Sequence, residues 1–210
     1  MNRHIVHLDL DTFFVSCERL LDRRLNEMPV LIGGTSDRGV VASCSYETRK
    51  YGVHSGMPMK MARMLCPDAV VIRGNSTVYS KFSDTITEII KEQSPIFEKS
   101  SIDEFYVDVT GMDRFFGTFQ WAKELREKII KETMLPISCG LSINKTVSKV
   151  GTGEAKPNNF LTIKDGKEKG FLAPLSIKKI PMVGDKTYRL LRSMGVQKVK
   201  TVQEMPAELM

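Results

Sequence analysis

Acidic residues at two separated places in this chain have the types and spacing that metal-dependent chemistry requires. Asp9 and Asp11 follow the apolar run Ile5–Leu8, and Asp103 and Glu104 precede a second apolar segment. Carboxylate oxygens are the ligands that Mg²⁺ prefers, and two such ions about 3.5–4 Å apart suit phosphoryl transfer. The same acids are also common as helix caps and turn residues, so their pattern alone leaves both interpretations open.

Segments of regular hydrophobic spacing predict the elements that must position these acids. A buried strand over residues 5–8 delivers Asp9 at its end, and a helix follows from Phe13 to Leu21. Further strands are predicted at Val30–Ile32, Val40–Ser43, Val70–Ile72, Ile96–Lys99, Phe105–Val109, Ile137–Ile143 and Phe160–Ile163. Further helices are predicted at Tyr46–Tyr51, Pro58–Leu65, Thr77–Gln93, Phe119–Glu132 and Thr187–Met194.

The order of these elements indicates an α+β fold. If residues 12–74 form a small inserted lobe, the remaining order is strand, helix, strand, strand, helix, strand. That is the split βαβ, ferredoxin-like arrangement, in which the first strand lies beside the hairpin strands. We therefore expect Asp9 to lie near Asp103 and Glu104.

Composition and charge favour a globular protein with a polyanionic partner. The net charge is +6, and the segment from Lys164 onward holds ten Lys or Arg against five Asp or Glu. A basic tail of this kind is attracted to a phosphate backbone. The four cysteines are far apart without a CxxC pair, which argues against a zinc site or a disulfide framework. No apolar run has the length of a membrane span, so we expect a reduced, cytoplasmic protein.

Five segments, taken in order, resemble the signatures of the Y-family DNA polymerases of the DinB type. They are Asp9–Phe14, Tyr46–Val53 with Gly56–Pro58, Ser101–Phe105, Gly140–Lys145 and Ala155–Asn158. The similarity implies a palm domain at residues 1–11 and 75–163, fingers at 12–74 and a partial thumb at 164–210. The family's further DNA-gripping domain, the little finger, is absent from this chain.

The resemblance also implies which residues are catalytic. Asp9, Asp103 and Glu104 would hold two Mg²⁺ ions, assisted by the backbone carbonyl of Leu10. Asp11 would support these ligands from the start of the following helix, where a side-chain cap is useful.

Further residues are implied to contact the incoming nucleotide. Phe14 would exclude the ribose 2′-hydroxyl, while Val40 and Ala42 would cover the nascent base pair with little bulk. On residue pattern alone, Phe14 is typical of a core aromatic, and Tyr46 with Arg49 is typical of an exposed helix face. The implied nucleotide-binding residues are Thr12, Phe13, Phe14, Ser43, Tyr46, Arg49 and Lys156.

In the tail, the hairpin, defined here as Ile180–Gly184, and the helix after it resemble a helix-hairpin-helix motif. Its DNA-binding residues would be Val183, Gly184 and Lys186, through contacts with phosphates. The family's hairpin has glycine where Met182 stands, and this departure bears on how tight the turn is.

The implied activity is translesion DNA synthesis by a monomeric enzyme of low fidelity that lacks proofreading. Its partners would be primer-template DNA and deoxynucleoside triphosphates, with sliding-clamp binding expected beyond residue 210. We expect these residues alone to hold DNA weakly. Two alternatives stay open: a haloacid-dehalogenase-like phosphatase with Asp9 as nucleophile and Asp11 as acid or base, and a non-catalytic DNA-binding fragment.

Overall fold

The structure, a computed structural model, describes residues 3–94, 96–112, 117–206 and 208. It divides into two compact units. The first unit comprises Met1–Asp9, Ile90–Lys128 and Ile137–Met210, and the second comprises Leu10–Ile89 and Ile129–Pro136. Within the described part of the chain, no helix combines the length and apolar character that crossing a bilayer requires.

The elements agree with the predicted ones to within a few residues, and three helices are additional. The strands are β1 Ile5–Leu10, β2 Val30–Gly33, β3 Val41–Cys44, β4 Val70–Ile72, β5 Phe97–Lys99, β6 Glu104–Asp108, β7 Ile137–Ser142 and β8 Phe160–Thr162. The helices are α1 Phe13–Leu21, α2 Tyr46–Arg49, α3 Met59–Leu65, α4 Ser76–Gln93, α5 Thr118–Thr133, α6 Lys145–Ala155, α7 Glu168–Leu172, α8 Asp185–Ser193 and α9 Val199–Gln203. Helices α6, α7 and α9 have no counterpart among the helices predicted with bounds, and α6 is the longest of the three.

The first unit is built on a five-stranded sheet in the order β5-β6-β1-β7-β8. Strand β1 is central, pairs antiparallel with β6, and is buried along almost its whole length. Strand β8 extends the sheet by pairing parallel with β7. The order β5-β6-β1-β7 is that of the split βαβ fold, so the predicted α+β, ferredoxin-like class is confirmed.

Helix α6 lies unusually close to β7, and glycine makes this approach feasible. A Cβ atom at Gly140 would lie 2.1 Å from the carbonyl oxygen of Ser148 and 2.6 Å from the amide nitrogen of Thr152. The helix begins at an Asn144 cap, whose side chain accepts a hydrogen bond from the amide of Val147. Close packing on the sheet therefore fixes where the α6 side chains project.

The basic tail forms a small helical structure within the first unit, as predicted. Helices α7, α8 and α9 surround a compact apolar cluster of Ile177, Val196 and Val199. Helix α8 buries none of its residues fully. The tail therefore has its own small core, while much of its basic surface stays accessible to a partner.

The second unit contains a three-stranded sheet in the order β3-β2-β4, matching the strands predicted for the inserted lobe. Strand β3 is antiparallel to β2, and β4 is parallel to it. The predicted strand at Val40–Ser43 begins one residue later, because Val40 forms an isolated bridge with Pro58. The core includes Leu31, Val41 and Met59.

Candidate active site

The first unit places two of the predicted acids directly opposite each other. Asp9 near the end of β1 pairs with Glu104 at the start of β6 in the antiparallel register. Directly opposed residues of an antiparallel pair point to the same face, with Cβ atoms about 4.5–5.5 Å apart. Two carboxylates at this spacing repel each other unless cations compensate them.

Two lysines of α6 and its C-cap supply that compensation. Lys149 donates to both carboxylate oxygens of Glu104, each at 2.7 Å, and Lys156 donates to Oδ1 of Asp9 at 2.5 Å. We call these four residues the acid–lysine cluster. Their side chains are largely buried, with 16% of Asp9 and 20% of Glu104 exposed.

The two carboxylates of the cluster respond to burial differently. Burial raises the pKa of Asp9 to about 6, even though the charge of Lys156 opposes this shift, and the charges of Glu104 and Asp103 add to it. Burial also opposes ionisation of Glu104, but the hydrogen bonds and charge of Lys149 outweigh it and leave its pKa below the ordinary value. Glu104 is thus held as a carboxylate, while Asp9 takes up a proton more readily.

Asp103 lies in the turn that leads into β6, and Ser101 organises that turn. The hydroxyl of Ser101 donates to Oδ1 of Asp103 at 2.7 Å and accepts from the amide of Glu104 at 3.1 Å. Ser101 belongs to the predicted signature but had no assigned role. The local hydrogen bonds show that it fixes the approach of both acids.

Helix α6 is also tied to β1 beneath the cluster. The Ser148 hydroxyl donates to the carbonyl of Ile5 at 2.8 Å, and Oγ1 of Thr152 lies 2.9 Å from Nδ1 of His7. His7 is fully buried, with its ring centroid 4.6 Å from that of Tyr106. Burial lowers the pKa of His7 to about 3. This histidine therefore packs in the interior of the first unit.

The donor chemistry of the cluster fits a hard divalent cation. Asp9 and Glu104 offer oxygens from opposed positions, and Asp103 adds a third charge near enough to affect Asp9. Among the residues that the structure describes, however, no three or more His, Cys, Asp or Glu side chains are grouped so that they could hold an ion. The structure thus pairs two predicted ligands without gathering all three into one set.

A cavity of about 400 Å³ connects the cluster with the hairpin of the tail. Asp9, Lys149 and Lys156 line it from one side. Its other lining residues include Lys178, Lys179, Met182 and Val183. The first unit therefore places Asp9, the lysines that precede the hairpin, and the hairpin itself around one open space.

The second unit holds a separate polar group. The Tyr46 hydroxyl donates to Oδ1 of Asp11 at 3.0 Å, and the Arg49 guanidinium lies 5.0 Å from the Tyr46 ring centroid. Tyr46 and Arg49 therefore share one face of α2, as their spacing predicts. The N-cap position of α1 is taken by Thr12, which has φ of 43° and makes no side-chain cap. The supporting role of Asp11 stays a prediction.

Phe14 is half-buried in the second unit and stacks on another aromatic residue. Its ring lies 4.5 Å from that of Tyr79 at an interplanar angle of 16°, and the Tyr79 hydroxyl donates to Glu18 at 2.6 Å. Phe14 and Ala42 line the same cavity of about 310 Å³. The predicted sugar-facing residue and one of the two predicted base-facing residues thus border one space.

The remaining predicted positions in the second unit differ in accessibility. Leu10, Thr12, Phe13 and Ser43 are buried, whereas 53% of Val40 is exposed. Phe13 packs near Phe14, with ring centroids 5.6 Å apart. The four buried side chains therefore contribute to packing, while the Val40 side chain is accessible to solvent.

Comparison with known proteins identifies the family. The model of the impB/mucB/samB family matches residues 8–153, which include both acidic segments. The chain belongs to this family. DNA polymerase IV of Dehalococcoides mccartyi is 41% identical over 207 residues, which are 98% of this chain and 53% of that protein. The chain spans about half the length of the curated relatives it matches.

Solved structures agree with this assignment. The crystal structure of DinB from Sulfolobus solfataricus has a TM-score of 0.88 and 29% identity, covering 97% of this chain and 60% of that one. The insertion ternary complex of Dbh DNA polymerase has a TM-score of 0.87 and 29% identity, covering 97% and 61%. The predicted resemblance to Y-family polymerases, at their catalytic core, is confirmed. The haloacid-dehalogenase alternative is not favoured, because β1 and β6, which carry the acids, are antiparallel.

The hairpin of this impB/mucB/samB member differs from the predicted motif at one residue. Met182 has φ of 70° and is 97% exposed, so it adopts the left-handed conformation that glycine takes without strain. The amides of Val183 and Gly184 donate within the turn, to the carbonyls of Ile180 and Met182 at 3.1 Å each. These two amides therefore already have hydrogen-bond acceptors within the turn.

Lys149 is the residue that sequence reasoning missed in this family member. It lies four residues after Lys145 and seven before Lys156, so its recognition requires α6 to be identified as a helix. The segment contains Gly151 and Gly153, which disfavour helix. A pattern of hydroxyl and lysine side chains at Ser148, Lys149, Thr152 and Lys156 was the available signal.

Proposed function

We propose that this chain is the catalytic part of a DNA-directed DNA polymerase of the translesion type. The observation that carries the proposal is the opposed Asp9–Glu104 pair, of which Asp9 lines a cavity that Lys178, Lys179 and the hairpin also line. The relatives named DNA polymerase IV and the ternary complex of Dbh DNA polymerase support it. The reaction would add a deoxynucleotide to a primer 3′-hydroxyl on a DNA template.

The domain assignment follows the family order. Residues 1–11 and 75–163 would form the palm, with the central sheet and the acids. Residues 12–74, with the three-stranded sheet, would form the fingers, and residues 164–210 would form part of the thumb. Each assignment is supported by a hydrophobic cluster or sheet within the segment concerned.

The carboxylates of Asp9, Asp103 and Glu104, with the carbonyl of the adjoining residue Leu10, would hold two Mg²⁺ ions. When bound, such ions lower the pKa of the primer hydroxyl and neutralise the triphosphate. The protein's own contribution is to fix these oxygens through the β1–β6 register and the Ser101 turn. Burial raises the pKa of Asp9 to about 6, so a proton would compete for its oxygens as the pH falls toward that value.

Several side chains would bind and orient the nucleotide. In the first unit, Lys156 would hold phosphate with its ammonium. In the second, Tyr46 and Arg49 would present a phenol and a guanidinium to phosphate oxygens, with Tyr46 oriented by Asp11. Thr12, Phe13 and Ser43 would support these contacts from buried positions.

Phe14, Val40 and Ala42 would determine which nucleotides fit. The Phe14 ring, held by its stack on Tyr79, would exclude a ribose 2′-hydroxyl. The small Ala42 side chain and the exposed Val40 would leave room for damaged bases, which favours low fidelity. We propose that the enzyme acts as a monomer in the cytoplasm, without proofreading.

The tail would hold the DNA backbone. Lys186, in the first turn of α8, and the turn at Val183 and Gly184 would contact phosphates. The charge of a few lysines would give a modest, salt-dependent affinity for DNA, since affinity grows with the number of phosphates neutralised. Sliding-clamp binding would involve a region beyond residue 210.

Primer extension tests this function. A labelled primer-template, deoxynucleotides and MgCl₂ should yield extension at excess protein, which offsets the weak DNA binding that we expect. Phe14→Ala should raise ribonucleotide insertion about a hundredfold while retaining deoxynucleotide insertion, since rejection is steric. Leu20→Ala, on an exposed part of the same helix, serves as control. DNA binding without any extension would favour the non-catalytic alternative, and unchanged sugar discrimination would remove Phe14 from the nucleotide site.

A further inference from the structure

Lys149 occupies the position that a bidentate cation would take on Glu104. Its ammonium lies 2.7 Å from each of the two carboxylate oxygens, and 34% of its side chain is exposed. An ammonium placed equally near both oxygens leaves neither of them open to a second cation on that side. The ammonium and a divalent cation would thus compete for the same two atoms.

The position of Lys149 is set by the fold and is not that of a freely moving surface lysine. The Ser148 hydroxyl, one residue before Lys149, donates to the backbone carbonyl of Ile5 in β1. The Thr152 hydroxyl, three residues after Lys149, donates to the backbone carbonyl of His7 in β1. The glycine at Gly140 lets this part of α6 approach the sheet. The backbone of Lys149 is therefore anchored, while its four-carbon side chain stays able to rotate.

The surroundings of Lys149 stabilise its ion pair with Glu104 and also leave room for its ammonium to move away. Asp9 and Glu104 face each other, so losing the ammonium leaves two opposed carboxylates less compensated. Lys149 also lines the cavity of about 400 Å³, which offers room for a displaced ammonium. The ion pair can open without any change in the sheet.

We propose that Lys149 is a positioning residue that orients the Glu104 carboxylate and competes with divalent cations for it. The inference rests on the proposed function, because it takes Glu104 as a metal ligand. Lys149 keeps the opposed acids compensated and oriented, and it leaves Glu104 when a divalent cation binds there. Cation affinity at this site is therefore lower than the carboxylates alone would give.

Mn²⁺ binding to the full chain tests the proposal. It is measured by electron paramagnetic resonance, because the signal of free Mn²⁺ is lost when the ion binds. Lys149→Met keeps the length of the side chain and removes the competitor, so it should raise Mn²⁺ affinity about tenfold. Lys149→Arg offers a bidentate guanidinium and should lower affinity below that of the parent. Lys145→Met is the matched control, since it lies on the same helix and pairs with Glu98, outside the cluster.

Thermal unfolding provides a second readout. With EDTA, Lys149→Met should melt below the parent, and saturating Mn²⁺ should raise its midpoint more than it raises the parent's. The proposal is supported if Mn²⁺ affinity is highest for Lys149→Met, intermediate for the parent and lowest for Lys149→Arg. If Lys149→Met does not fold, the comparison of Lys149→Arg with the parent still tests the proposal. Equal or weaker Mn²⁺ binding by Lys149→Met, or binding by Lys149→Arg as tight as the parent's, overturns it.

Glu104→Gln separates this inference from the function on which it rests. If Glu104→Gln weakens Mn²⁺ binding but the Lys149 variants do not follow the expected order, only the competition is wrong. If Glu104→Gln binds Mn²⁺ as the parent does, Glu104 is not a ligand, and both the competition and the metal site proposed under function fail.

Discussion

Three residues of the acid–lysine cluster, Asp9, Lys149 and Lys156, line the same cavity as the hairpin, but the cluster and the hairpin are built in opposite ways. In the cluster, strand register and a closely packed helix fix four largely buried charged groups. In the hairpin, Met182 is almost fully exposed and its backbone is in the left-handed region. Under the proposed function, the chemistry would depend on a rigid, buried framework, whereas DNA binding would depend on exposed lysines and a turn that tolerates strain.

The largest expected effect on stability concerns the framework under the cluster. Gly140→Ala should lower the free energy of unfolding by about 3 kcal/mol, because its Cβ would meet the Ser148 carbonyl at 2.1 Å. Urea unfolding measures the change. Gly153→Ala is the matched control: no atom lies within 4 Å of a Cβ there, so it should stabilise α6 by up to about 1 kcal/mol. If Gly140→Ala did not lower the free energy of unfolding, as is expected for Gly153→Ala, α6 would not need to lie so close to β7.

The next effect is a pH dependence that arises from His7. Burial lowers its pKa from 6.5 to about 3, and within the described residues its Nε2 has no hydrogen-bond partner. A lowered histidine pKa gives stability that is complete above pH 6.5 and is lost as the pH falls toward 3, because only the unfolded chain takes up the proton. Between pH 7 and 5 the loss from His7 should be about 2 kcal/mol.

Urea unfolding at pH 7 and pH 5 checks this contribution. His7→Gln should remove most of the pH-dependent loss, whatever its effect on stability at pH 7. His54→Gln changes an exposed histidine and should leave the loss as it is in the parent. A parental chain equally stable at both pH values would contradict the buried neutral state of His7.

The smallest effect is expected in the hairpin. Met182→Gly should raise the free energy of unfolding by about 1 kcal/mol, because glycine adopts φ of 70° without the strain of a side chain. Val183→Gly is the control and should destabilise slightly, since its φ is not positive. Thermal unfolding compares the two. Destabilisation by Met182→Gly would mean that the methionine side chain contributes packing that its exposure does not show.

Much of the framework could be predicted from the sequence, because its signals are local. The apolar run before Asp9 predicts a buried strand, and the element order predicts the sheet in which Glu104 faces it. Helix α6 was missed because its stability comes from packing against β7 through Gly140, which local propensity does not register. Lys149 was missed with it, since only the helix places that residue opposite Glu104.

Single-nucleotide insertion by the Glu104→Gln chain tests the central claim most directly. The proposed function predicts that, at excess protein with MgCl₂, this variant inserts roughly a thousandfold more slowly than the parent, about 4 kcal/mol of barrier. Glu98→Gln, on β5 of the same sheet and paired with Lys145, should insert at the parental rate. Insertion by Glu104→Gln at the parental rate would contradict the assignment of this carboxylate pair as the catalytic centre.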